Sequence, residues 1–306
     1  METMIPNLFI IGAPKCGTTS LFHWLAEHPD ICGASEKETY YLLDPGYPMA
    51  REGWPNFHQQ GMAGYSKYFS ACSTEHYRLE ATPDYLYQKT ALDFISQFQK
   101  KQIIVVLRKP SERVYSLYQF ARNNAGTLDI SVSFSEFIDA IRKRGSLLEH
   151  KPILRQAIRQ SCYVDHIEPW LASIDRQSIH VILFEELVVD PLATVQKLAR
   201  SLGIDAAFYD DFDFVVYNQT RPVNSKLLHR MRCSVHAFLG RHGAAYIPEG
   251  VKQAIHSLYG RVNQRSGEIE RMTRDQQLLD ELDAGFEPYN RRLEALLNID
   301  LTAWRE

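Results

Sequence analysis

The chain has 306 residues, 45% of them hydrophobic, and a formal net charge of −3. That is enough apolar material for a substantial core, and the charge excludes bulk attraction to nucleic acid or acidic membranes. Five cysteines (Cys16, Cys32, Cys72, Cys162, Cys233) are odd in number, widely spaced and lack a C-x-x-C. Neither a disulfide framework nor a structural zinc site is expected, and a reducing, cytoplasmic setting fits.

The N-terminus has no basic stretch ahead of a long apolar run. Ile5 to Ile11 is too short for a signal-peptide core or a membrane span, so it reads as a first strand and no membrane association is expected. The run LFII (8–11) stops at Gly12, and a helical pattern begins at Thr18. Between them, Gly12-Ala-Pro-Lys-Cys-Gly17-Thr-Thr is nearly a Walker A loop, but Thr18 stands where the lysine belongs and the lysine is at 15. A strand–glycine loop–helix unit gathers backbone N–H groups and a helix N-terminus around an anion. Thr18, Thr19 and Ser20 add hydroxyls, and Lys15 adds a charge. The competing reading is a strand–turn–helix with incidental Gly and Thr. Cys16, beside a helix N-terminus and Lys15, has surroundings that lower a thiol pKa, or is simply a small neutral loop residue.

Residues 43–80 are irregular and rich in Gly, Pro and aromatics; residues 121–150 mix polar residues with a helical patch around FSEFIDAIRKRG. Insertions of this kind shape binding sites or merely elaborate the surface. The runs IIVVL (103–107) and HVILF (180–184) read as further buried strands, each followed by a helix. Ser111 is placed to cap ERVYSLYQFAR, and Asp190-Pro191 and Gly203 to open and close LATVQKLARSL. A basic segment occupies 221–232, and 275–297 reads as a helix with a Leu stripe. Strands alternating with helices imply an α/β fold: a P-loop-containing three-layer arrangement, with a central parallel sheet flanked by helices, in a single domain over 1–306.

A metal-dependent kinase or NTPase commonly carries a carboxylate at the end of a second strand. Here IIVVL ends in Arg108-Lys109, cations where that acid would sit, although Glu185-Glu186 follow the third strand. Arg108 lies where α/β proteins bind ligands, and Ser116 is a turn or so into the next helix. Together they form a second candidate phosphate site, with Arg113 as competitor or as a solvent-facing helix residue. No His/Cys cluster has metal-ligand spacing, so no metal is expected.

These two motifs, APKCGTTS and VVLRKPSERVYSLY, together resemble the sulfotransferases that use 3′-phosphoadenosine 5′-phosphosulfate (PAPS), most closely the branch of the heparan sulfate sulfotransferases and their bacterial relatives. EKETYYL (36–42), EATPDYLY (80–87), YVDHIEPWL (163–171), ILFEELVVDP (182–191) and EPYNRRLEALLNIDLTAW extend the resemblance over nearly the whole chain. It implies that Pro14, Lys15, Cys16, Gly17, Thr18, Thr19 and Ser20 hold the 5′-phosphosulfate, and that Arg108 and Ser116 hold the 3′-phosphate. Arg221, Asn224 and Lys226 are candidates on the adenine side. The reaction implied is sulfuryl transfer to a hydroxyl or amine by in-line displacement, leaving 3′-phosphoadenosine 5′-phosphate (PAP). Lys15 neutralises the leaving oxygen and Glu38 is the base.

On the residues alone, Glu38 is a surface acid in Glu36-Lys37-Glu38; burial is expected to raise its pKa and make it a better base. His58 and His76 are the rival bases. The chain departs from the resembled pattern at Ala81, where the heparan enzymes often carry lysine, and at Cys162, where glycine is common. Tyr40, Tyr41, Trp54, Phe57 and Tyr85 are candidates to line an acceptor pocket, with His58 and His76 beside them, or to pack a small lobe. The acceptor is expected to be a small molecule such as a natural product. A glycan acceptor is the alternative, and a Mg²⁺-dependent P-loop kinase the more distant one.

Overall fold

The computed structural model describes residues 4–50, 53–217 and 272–305. The chain divides into two compact units. The first comprises Met1–Arg113, Arg159–Asn218 and Phe286–Glu306; the second comprises Val114–Ile158 and Gln219–Gly285.

The first unit is built on five parallel strands: β1 (Leu8–Gly12), β2 (Ile31–Gly33), β3 (Tyr77–Ala81), β4 (Gln102–Leu107) and β5 (Ile179–Leu183). Their order in the sheet is β2-β3-β1-β4-β5. β1 lies at the centre, with Leu8 opposite Leu79 on β3 and Gln102 on β4. Every residue of β1 is buried, which is why it reads as an unbroken apolar run rather than an alternating one. Chain order reverses direction about β1, so the crevice at its carboxyl end is the natural ligand position of this sheet.

Helices connect and flank the strands: α1 (Thr18–Ala26), α2 (Phe57–Tyr65), α3 (Lys89–Ser96) and α4 (Pro110–Gln119). Next come α5 (Phe134–Arg142), α6 (Pro152–Arg155), α7 (Ala157–Gln160) and α8 (Tyr163–Ser173), then α9 (Phe184–Val189), α10 (Pro191–Leu202) and α11 (Thr273–Leu297). The end signals of α10 act as read. The Asp190 side chain accepts from Ala193 N at 2.9 Å, Pro191 opens the helix, and Gly203 closes it at φ 73°. In the second unit, Phe134 and Phe137 of α5 pack with Tyr115 and Tyr118, and a Ser133–Glu136 capping box starts α5.

Three expectations about the elements need correction. Residues 43–80 contain α2 and β3 rather than irregular chain alone. β3 (YRLEA) escaped detection because a carboxylate, Glu80, is one of its buried residues. β5 ends at Leu183, and Phe184 begins α9. Ser111 does not cap α4: the helix begins at Pro110, whose fixed φ suits a first turn, and Ser111 is buried inside it.

The cysteine reading also changes. Cys32 on β2 and Cys72 form a disulfide across a sequence separation of 40, a spacing no local motif reveals. The closed loop includes Glu38 and α2. Reduction is expected to destabilise the protein by about 2–4 kcal/mol; thermal melts with and without a phosphine reductant measure it, and Cys32→Ser with Cys72→Ser should melt like the reduced protein.

Candidate functional site

The loop after β1 is held before any ligand is considered. Ala13 N donates to Val106 O of β4 at 2.8 Å, and Cys16 N to Ala13 O at 3.2 Å. Lys15 and Gly17 take positive φ, 72° and 82°. At Gly17 a side chain would be strained, and its Cβ would lie 3.1 Å from the Phe184 ring. At Gly12, a Cβ would fall 2.8 Å from Leu86, so β1 exits the sheet against that side chain. α1 starts at Thr18 with Gly17 as its cap, a residue with no side chain to bond the first turn. Its leading N–H groups therefore face the loop, as an anion site requires. Thr18 is buried, and Ser20 Oγ accepts from Tyr217 N at 3.0 Å.

Cations converge on this loop. Lys15 is half-buried, and burial together with the nearby Arg108 charge pushes its pKa down to about 8. Two like charges forced together in a partly dry crevice are what an anionic ligand relieves. Arg108 lies over the Phe184 ring at 4.6 Å, and its Nη2 is 3.4 Å from Glu112 Oε2. Glu185 does not stand open as a metal-binding acid: it accepts from Lys109 N at 2.9 Å and from Trp304 Nε1 at 3.2 Å, fixing the Arg108-Lys109 turn. Ser116 is a half-buried residue of α4 and belongs to the second unit. Arg221, Asn224 and Lys226 lie outside the described residues.

Arg113 is fully buried rather than solvent-facing. Its Nε donates to Pro14 O at 3.0 Å, Nη1 to Ser161 Oγ at 2.7 Å, and Nη2 reaches Gln160 Oε1 at 3.4 Å. It is a strut under the phosphate loop. Each buried partner left unpaired costs about 1–3 kcal/mol, so Arg113→Ala is expected to lower the thermal midpoint and weaken PAP binding together, a pairing that melts and calorimetric titration check. Cys16 is buried beside Tyr163 (Sγ to OH 3.7 Å), and burial raises its pKa despite the Arg113 charge. The loop thiol is thus a packing group and not an activated one.

Glu38 sits on a turn pinned to the end of β3, with its N–H donating to Ala81 O at 3.0 Å. Lys37 Nζ is 2.5 Å from Glu38 Oε1, and Tyr40 OH donates to Oε2, also at 2.5 Å. Burial pushes the Glu38 carboxyl up, as expected from sequence. The Lys37 charge and hydrogen bond, the Tyr40 hydrogen bond and the Lys15 charge outweigh it, and the net shift is downward. Both Glu38 (φ 62°) and Tyr40 (φ 53°) are left-handed, a conformation side chains adopt at a cost.

A buried anchor holds this turn. Glu80 Oε1 accepts from Thr39 Oγ1 at 2.9 Å and Thr82 Oγ1 at 2.6 Å, and Tyr40 N donates to Thr82 Oγ1 at 3.3 Å. Burial pushes Glu80 up to about 7, against the pull of those hydroxyls and of Lys37. Asp84, also raised by burial, accepts from Tyr47 OH at 2.6 Å. Lys37, Glu80, Asp84 and the strut role of Arg113 were not read from sequence. The carboxylates in EATPDYLY were the available signal, but nothing in the spacing says which of them face inward.

A cavity of about 270 Å³ opens beside this turn, lined by Thr39, Tyr40, Leu43, Trp54, Asn56 and His58 among others. Of the aromatic candidates, Tyr40 and Trp54 line it. Tyr41 and Tyr85 are fully buried; Tyr41 stacks on Tyr65 at 4.8 Å and Tyr85 OH accepts from Leu42 N at 3.1 Å. Phe57 packs edge-on against Phe94 at 4.6 Å. His58 lines the cavity, with Nε2 3.4 Å from Thr90 Oγ1. His76 is exposed just before β3, the end of the strand opposite to that from which the Glu38 turn hangs. Long side chains on a lobe of this size face either way, which the sequence does not decide.

A parallel α/β sheet with a lysine-bearing glycine loop at its switch point defines a P-loop type of α/β fold. The family model described as "Sulfotransferase domain" matches residues 6–244, and the chain belongs to that family. It is 27% identical over 209 residues to the human bifunctional heparan sulfate N-deacetylase/N-sulfotransferase 3, covering 65% of this chain and 22% of the relative. A Drosophila melanogaster bifunctional heparan sulfate N-deacetylase/N-sulfotransferase is 26% identical over 215 residues, covering 65% and 20%. The chain thus spans about a fifth of the length of these curated relatives. The crystal structure of a sulfotransferase from Alicyclobacillus acidocaldarius shares the fold, with a TM-score of 0.67 at 24% identity over 98% of this chain and 99% of that one. The family's sulfate donor is PAPS. Among the described residues, no helix is long and apolar enough to cross a membrane.

Proposed function

We propose that the chain transfers the sulfuryl group of PAPS to a hydroxyl or amine of an acceptor by in-line displacement. The reading is carried by one observation: Lys15, in the loop after β1, and Glu38, on the turn pinned to Ala81 at the end of the neighbouring strand β3, share the crevice end of the sheet. The donor supplies an activated sulfur whose leaving group is a phosphate. Lys15 and the N–H groups at the start of α1 bind that phosphate, and Lys15 neutralises the charge growing on its bridging oxygen. Arg108 holds the 3′-phosphate. Glu38 takes the acceptor's proton as the new bond to sulfur forms. The test is calorimetric: PAP should bind without Mg²⁺ and more tightly than ATP, and the reverse order sinks the reading.

The cavity proposed for the acceptor is small, with Tyr40 and Trp54 in its wall, which favours a small molecule. The names of the curated relatives favour a glycan. A mass-spectrometric screen for an added sulfonate, run in parallel on small alcohols, phenols and amines and on heparan-type saccharides, decides between them.

A further inference from the structure

In the Lys37-Glu38-Thr39-Tyr40 turn both oxygens of the base are engaged, one by Lys37 and the other by the Tyr40 phenol. Tyr40 also lines the cavity beside the turn. Tyr40 therefore stands between that cavity and the carboxylate. Its backbone is left-handed and tied through its N–H to Thr82, and the neighbouring Thr39 is bonded to the buried Glu80, so the phenol is aimed by the fold rather than by chance packing. A left-handed non-glycine residue persists only where surrounding contacts impose it, and such residues gather at functional sites.

Resting on the sulfuryl-transfer reading, we propose that Tyr40 is a gate on the base: its phenol occupies the Glu38 oxygen that an acceptor hydroxyl later takes, and so keeps water from being sulfated while the acceptor is absent. The reaction the gate prevents is hydrolysis of the donor. In it, a water oxygen forms a bond to sulfur, the bond from sulfur to the 5′-phosphate oxygen breaks with its electron pair left on the phosphate, and the water proton passes to Glu38 and then to solvent. The products are sulfate and PAP. An acceptor entering from the cavity meets Tyr40 first and displaces its hydroxyl from Oε2, while Lys37 stays on Oε1 and keeps the carboxylate ionised.

The test needs no identified acceptor. PAPS alone is incubated with the wild-type chain, Tyr40→Phe, and Tyr40→Phe combined with Glu38→Gln, and free sulfate and PAP are counted. Tyr40→Phe keeps the ring and removes the competing donor. A hydrogen bond to a charged group is strong enough that its loss should raise acceptor-independent hydrolysis about 10-fold or more. PAP affinity should be unchanged, and the double variant should return to the wild-type rate or below. Hydrolysis in Tyr40→Phe that is equal to or slower than wild type, with PAP still bound, overturns the gate and leaves the sulfuryl-transfer reading intact. Failure of the wild-type chain to bind PAP removes both.

Discussion

Lys15→Ala should lower turnover about 10²–10³-fold, the usual consequence of deleting one group aimed at charge that develops in the transition state. The loss should fall on kcat more than on acceptor KM, because the proposed role of Lys15 is on the leaving phosphate and Lys15 does not line the cavity. Its titration gives a second signature. Burial and Arg108 hold its pKa at about 8 in the free protein. An anion bound beside it favours the charged form and raises that value. PAP affinity should therefore be flat below about pH 8 and fall as pH rises beyond it, by roughly tenfold per unit until the raised value is passed, with one proton taken up per PAP bound. The sign for folding is opposite. Between about 8 and the ordinary lysine value the unfolded chain holds more protons than the folded one, so this group makes the unliganded protein more stable as pH rises. Calorimetry in buffers of different ionisation enthalpy counts the proton; uptake that persists in Lys15→Ala would assign it elsewhere.

Glu38→Gln should cut turnover by about 10²–10⁴ while leaving PAP affinity nearly unchanged. The amide keeps the size of the side chain and the Tyr40 contact but accepts no proton. Because Lys37, Tyr40 and Lys15 together carry the Glu38 pKa below the ordinary carboxylate range despite burial, the acidic limb of the wild-type pH–rate profile should lie lower than a solvent-exposed glutamate would place it. In Glu38→Gln that limb should vanish. Undiminished turnover would transfer the role to His58, the histidine that lines the cavity.

The loop after β1 was legible because its determinants are local. Gly12, Lys15 and Gly17 lie within one turn of chain, and the apolar runs of β1, β4 and β5 announce a buried parallel sheet. Arg108 was readable for the same reason, as the residue that directly follows β4. The turn beside the cavity was not. Whether Tyr41 or Tyr40 faces the cavity depends on two left-handed residues in one turn, which spacing does not encode. The Cys32–Cys72 pairing and the Arg113–Pro14 contact join residues 40 and 99 positions apart in sequence, and such contacts follow only from the sheet order. Glu80 was hidden by its own chemistry: a carboxylate reads as surface, and only Thr39 and Thr82 make it acceptable inside.

The Arg113 strut bears on how the donor arrives. A loop whose carbonyl is already bonded to a buried guanidinium, and whose first amide is bonded to the neighbouring strand, has surrendered its conformational entropy during folding. Donor binding then resembles a key entering a finished lock. Association should be quick and single-phased, with a small heat-capacity change and no slow rearrangement trailing behind it. Replacing the strut would turn the same loop into one that must fold around its ligand, visible as a slower and more heat-capacity-rich encounter.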